Sequence, residues 1–208
     1  MIYTPCKIIS DNTKTEHSIN LPIIGHCRPT YTCSRVCYAK TGRIAMPHST
    51  RKQAYVSDYL KQSDLSQLVN ECQKHDQVRL SASGDLLLKH VPSILSLARA
   101  CPLTEFWGMT RKTEIAKAIN HKYNNLRLLV TVDHTSPLKT WEYDGALCFG
   151  PRMPEDRVIP DMKNIVTVFP YHRRGKVVKG VARHPKDCKA VWHEISGCKE
   201  CGRCWKWR

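Results

Sequence analysis

Eleven cysteines occur in 208 residues, and seven of them fall into two groups spaced as metal ligands often are. Near the amino end, "GHCRPTYTCSRVCYAK" carries Cys27, Cys33 and Cys37 at intervals of six and four. A loop of this size can turn three thiolates toward one point, and Cys33 and Cys37, at i and i+4, share a face if the segment is helical. A structural zinc site needs four ligands, one more than this loop supplies. A cubane iron–sulfur cluster also takes four, but one iron can be left open to a substrate or cofactor. Three thiolates therefore suit a working cluster. The plainer alternative is that these are small buried side chains, as free cysteine often is.

The second group closes the chain in "DCKAVWHEISGCKECGRCWKWR". Cys198, Cys201 and Cys204 are three apart, with Cys188 ten positions upstream of the first. Zinc knuckles normally come as two separate Cys-x2-Cys pairs. Here the pairs share Cys201, which suits a cubane cluster whose fourth ligand lies further off. Cys188 is the nearest fourth ligand, followed by Cys148 and Cys6, and zinc stays open as the alternative metal. Gly197 and Gly202 permit the tight backbone such wrapping requires. Trp192, Trp205 and Trp207 stand ready to shield a cluster or to stack bases. Cys72 and Cys101, in amphipathic segments, and Cys148, in a strand, read as core.

Short apolar runs alternating with amphipathic segments must position these groups. Strands are expected at 17–25, 76–83, 104–110, 125–133, 145–150 and 164–170, and helices at 48–62, 63–75, 88–101 and 112–123, with Ser63 or Asp64 as an N-cap. This alternation implies right-handed βαβ units and a mainly parallel sheet. A closed eightfold barrel takes about 250 residues. The expectation is therefore an α/β fold with a partial, open parallel βα barrel over 1–187 and a short cysteine-rich tail over 188–208.

Ligands of such sheets gather beyond the carboxyl ends of the strands. Polar residues fall there in series: Cys27, then Ser83, Gly84 and Asp85, then Arg111 and Lys112, then Asp133 and His134. Gly84 would allow close approach of a ligand, and Asp85 would hold an ammonium or hydroxyl, unless Ser83 or Asp85 merely caps a helix. Arg111 and Lys112 could meet a carboxylate or phosphate, or start a solvated helix. Asp133 and His134 could form an acid/base pair, or His134 could be surface.

The loop ending in "CYA", then "VRLSASGD", "FWGMTRK" and a terminal "CxxCxxCW", resembles the phage gene product 88 family from about Cys27 to Trp205. That resemblance implies a phage-encoded protein. More distantly the chain resembles radical S-adenosylmethionine enzymes, which use a partial βα barrel, three cysteines after the first strand and a Gly-Gly-Glu motif after the second. The likeness implies a [4Fe–4S] cluster on Cys27, Cys33 and Cys37, with S-adenosylmethionine held at Ser83, Gly84 and Asp85. It also implies an auxiliary cluster on the tail, and radical chemistry on an unknown substrate. The family spacing is Cys-x3-Cys-x2-Cys. Cys33 and Cys37 fit its first interval, Lys40 takes the third position, and Cys27 supplies the remaining thiol from upstream.

The formal net charge is +15. Residues 171–208 hold eleven Lys and Arg against three acids, a local excess of +8, and "YHRRGKVVKG" reads as a basic hairpin. A basic carboxyl-terminal region suits nucleic acid or a host protein as partner of a non-enzymatic iron–sulfur or zinc protein. No run of 18 apolar residues and no signal-peptide pattern occurs, so a cytoplasmic protein without membrane contact is expected.

Overall fold

The computed structural model describes residues 7–12, 16–136, 143, 145–154, 164–170, 172–173, 176–177, 185–188 and 204. A hairpin begins the chain: β1 (Ser10–Asn12) pairs antiparallel with β2 (Glu16–Ile19). Then follow α1 (Tyr31–Val36), α2 (Pro47–Tyr59), α3 (Ser66–Cys72), β3 (Gln77–Leu80), α4 (Val91–Ala100), β4 (Glu105–Thr110) and α5 (Thr113–Ile119). β5 (Leu126–Val132), β6 (Leu147–Arg152) and β7 (Ile165–Pro170) complete the main sheet. Its seven strands lie in chain order, and every pair from β2 to β7 is parallel. The protein is thus a mixed α/β fold on an open, mostly parallel sheet. The expected basic hairpin forms as β8 (His172–Arg173) against β9 (Lys176–Val177).

Alternation along the strands decides which side chains meet the helices. Val78, Leu80, Phe106, Leu128, Val130, Leu147 and Phe149 join Leu68, Ile94, Leu97, Ile115 and Ile119 in one core. Each fully buried side chain of this size stabilises by roughly 1.5–3 kcal/mol. Leu129, Ala146 and Cys148 form a second cluster, against which Met109, Val166, Phe169 and Cys204 pack. Cys72 and Cys101 are core residues, as their amphipathic segments implied.

Three expectations shift. The strand expected over 17–25 stops at Ile19. The Leu21 amide turns to the Ser83 carbonyl, Pro22 has no N–H to give, and the His26 and Cys27 amides close a turn onto Ile23. The segment that bears the cysteines is thereby freed from the sheet. β1, which the opening residues did not announce, exists because Ile8 and Ile9 are buried and Glu71 accepts from both of their amides. α3 starts from Leu65 at the N-cap with no side-chain cap, so neither Ser63 nor Asp64 holds that position; the Asp64 carboxylate instead accepts from the Ser66 amide two residues on. Among the described residues, no helix is long and apolar enough to cross a membrane.

Candidate metal centre

Two polar pins seat the amino-terminal cysteines over the carboxyl ends of the strands. The first lies under α1. Thr30 caps this helix through the Cys33 amide and also donates its hydroxyl to the fully buried carboxylate of Asp133, just past β5, at 2.5 Å. Asp133 further accepts from the amide and hydroxyl of Thr135, and Arg111 pairs with it at 3.0 Å. Thr135 in turn contacts the amide and hydroxyl of Thr32. Six residues make a weak helix alone. This network gives α1 a fixed place, and with it Cys33 and, at the carboxyl cap, Cys37.

The second pin holds Cys27. Lys112, 3 % exposed, donates its ammonium to the carbonyls of His26 and Leu86, tying the cysteine loop to the turn after β3. Asp85, equally buried, accepts from the amides of Leu86 and Arg111 and from the Thr110 hydroxyl. Burial raises its carboxyl above the usual range, while those donors and Lys112 oppose the rise. The Tyr38 hydroxyl donates to the Ala82 carbonyl, a third tether from the cysteine segment to the same turn.

A buried polar chain supports the whole from behind. His90 Nδ1 accepts from the Leu87 amide, which leaves its Nε2 as the donor to Ser57 Oγ at 3.4 Å. His26 Nδ1 faces the Asp85 carbonyl and must donate there, so its Nε2 accepts from Ser57 at 3.2 Å. Burial depresses both imidazoles, His90 to about 4, which keeps them neutral and this polarity fixed.

Beyond the effect of burial, Cys33 and Cys37 push the Cys27 thiol further up and Cys37 does the same to Cys33, so the three thiols are near enough to interact. Burial pushes Cys27 up to about 12, with Asp85 adding and Lys112 opposing. Cys33 is also raised by burial, against the Arg111 guanidinium that lies within hydrogen-bonding reach of its sulfur. Cys27 and Cys33 are thus held protonated until a metal draws the proton off. Among the described residues no three Cys, His, Asp or Glu side chains close on one point as a metal ion requires. The trio is grouped rather than closed.

Other expected site residues have structural partners. Gly84 has φ +71, and a Cβ there would stand 2.3 Å from the Leu21 carbonyl oxygen, so the close approach belongs to the chain itself. Ser83 is buried, its amide carbonyl and hydroxyl both engaged with Leu21. Arg111 and Lys112 are not a solvated helix start: Arg111 meets a carboxylate, that of Asp133, and Lys112 is buried. His134 is exposed and edge-on to Phe149, while the Asp133 carboxylate is occupied elsewhere.

Of the second group, Cys188 donates its amide to Val168, extending the sheet edge beyond β7, and the neighbouring Asp187 forms a buried ion pair with Arg152 at 3.2 Å. Burial pushes the Cys148 thiol up to about 12, and Cys188 adds to the rise. Cys204 packs on the cluster that contains Cys148. Cys6, Cys198 and Cys201 lie outside the described residues. Sequence reasoning missed Thr30, Tyr38, Ser57 and His90. Thr30, a threonine just before a helical stretch, carried the one usable signal.

Fold and site together define an α/β protein with an open parallel sheet and a thiol-rich carboxyl end. The chain belongs to the phage gene product 88 family, whose model matches residues 7–207. No curated protein and no solved structure matches it.

Proposed function

We propose that this phage protein binds a [4Fe–4S] cluster through Cys27, Cys33 and Cys37. The observation that carries the reading is the seating of three mutually interacting thiols beside Arg111 and Lys112 at the carboxyl ends of parallel strands. Cationic donors beside thiolates favour the anionic ligand form and tune what it holds. Strands laid in chain order support a partial barrel of the radical S-adenosylmethionine kind, because each crossover steps the same way. Leu21 fills the space at Gly84 and backbone amides take up Asp85, so S-adenosylmethionine at Ser83, Gly84 and Asp85 rests on the family resemblance alone. In that reading the cluster supplies the electron for radical chemistry on an unknown substrate. Thr30, Asp133 and Arg111 orient the cysteine helix, Lys112 fixes the Cys27 loop, and Tyr38 ties its far end.

Cys188, Cys198, Cys201 and Cys204 would hold a second cluster, or zinc. The contact of Cys204 with the sheet and the influence of Cys188 on Cys148 bring two of these thiols to the same part of the molecule. Anaerobic purification followed by a visible spectrum and assays of iron, sulfide and zinc tests the proposal. About eight irons per chain support two clusters and about four support one. Zinc without sulfide refutes both. Adding S-adenosylmethionine and a reductant then tests the enzyme: cofactor cleavage supports it, and none leaves a non-enzymatic cluster protein.

A further inference from the structure

The layer that bears the cysteines has no acids of its own. Residues 17–57 contain no Asp or Glu but six Lys and Arg: Arg28, Arg35, Lys40, Arg43, Arg51 and Lys52. The fold lays this stretch down as α1, the 3-10 turns Tyr38–Lys40 and Gly42–Ala45, and α2. Carboxylates from elsewhere that approach it are spent. Asp85 and Asp133 are buried beneath it, Glu114 holds Arg28 at 2.8 Å, and Asp58 at the end of α2 holds Lys61. Arg35, Lys40, Arg43 and Arg51 are exposed, and among the described residues none of the four pairs with a carboxylate.

Aromatic rings stand in the same layer. Tyr31 is 68 % exposed and Tyr38 61 %. The Arg35 guanidinium lies over the Tyr31 ring, 5.5 Å from its centre. Lys40 is steadied by the Ser34 carbonyl and Arg51 by that of Pro47, so these cations are held close to the surface.

Unpaired cations neutralise phosphates, and exposed tyrosines offer faces on which unpaired bases stack. A duplex would use the cations but leave the rings idle. We propose that the layer over 24–54 binds single-stranded nucleic acid, with Arg35, Lys40, Arg43 and Arg51 on phosphates and Tyr31 and Tyr38 under bases. This goes beyond the cluster reading and does not rest on it. It also moves the contact from the basic carboxyl-terminal region to the cysteine-bearing face.

The test is fluorescence polarisation of the full chain with labelled oligo-dT and oligo-rU of about twenty nucleotides, longer than the ~4–16 one small domain covers, and with a duplex of equal length. Single strands should bind more tightly than the duplex, and the two homopolymers show which sugar is preferred. Joint replacement Arg35→Gln and Arg43→Gln should weaken binding at least tenfold and make the salt slope shallower by about 1.4, at ~0.7 per phosphate contact. Tyr31→Ala should weaken binding roughly tenfold at unchanged slope. These side chains are exposed, so circular dichroism should stay that of the parent. Three results would overturn the proposal: variants that bind like the parent, a duplex bound as tightly as the single strand, or binding abolished only by Arg173→Gln with Arg174→Gln. Iron measured on the same samples separates the two readings. Loss of oligonucleotide with iron retained supports this surface, and binding by a chain that carries no iron supports it while refuting the cluster.

Discussion

Cys72 and Cys101 share a residue type with Cys27, Cys33 and Cys37 and almost nothing else. The first two lie under α3 and α4, 0 % and 1 % exposed, among apolar side chains. Burial raises both thiols, and Cys101 has the Val69 carbonyl at 3.8 Å as its polar contact. The trio is only half-buried, and Arg111 stands beside Cys33 and Lys112 beside Cys27. The difference lies in what the strands do. Along the sheet, ladder bonds satisfy the backbone and leave side chains to pack. At the carboxyl ends the ladders stop, and buried carbonyls and amides recruit Lys112, Asp85 and Asp133. A thiol placed there acquires charge around it.

Breaking the polar pins should have the largest effect on stability. Asp133→Ala strands the Arg111 guanidinium and removes the anchor of Thr30, at an expected cost of about 3 kcal/mol. Urea unfolding measures it, and a loss below about 1 kcal/mol would show that α1 is held by something else. Alkylation of Cys33 should also speed up, while Cys72 stays inert.

The supporting histidines predict a pH dependence. His90 is held near 4 in the folded chain against 6.5 as its ordinary value. Between those values the unfolded chain binds more protons, so stability falls as pH drops from about 6.5 toward 4. The loss from this one buried group reaches about 3 kcal/mol. Melting temperatures across that window should decline in the parent, and His90→Asn should flatten the decline. An equal slope in the variant would locate the titration elsewhere.

The smallest effect belongs to the apolar cysteines. Cys101→Ala removes one buried sulfur and should cost about 1 kcal/mol, with metal content unchanged. Iron lost along with it would erase the distinction between the two sets of thiols.

Much of this was legible in the sequence, element by element. β3 to β7 and α2 to α5 follow from apolar spacing, because each buries one face against the sheet. The parallel order follows from their alternation. The grouping of Cys27, Cys33 and Cys37 follows from a turn-rich loop that leaves the sheet at Pro22. What stayed hidden are long-range polar contacts. Thr30 meets Asp133 across 103 residues, and Lys112 reaches His26 across 86. No local pattern marks such pairs. Arg111-Lys112 therefore looks like a solvated helix start until the fold buries it, and Gly84 looks like a ligand cradle until Leu21 fills the space.

The most direct test is the iron and acid-labile sulfide content of anaerobically purified parent protein beside the variant Cys27→Ser, Cys33→Ser, Cys37→Ser. The cluster reading predicts iron and sulfide in equal amounts in the parent, and about four fewer irons per chain in the variant. Unchanged iron in the variant, or a parent containing zinc and no sulfide, would contradict it.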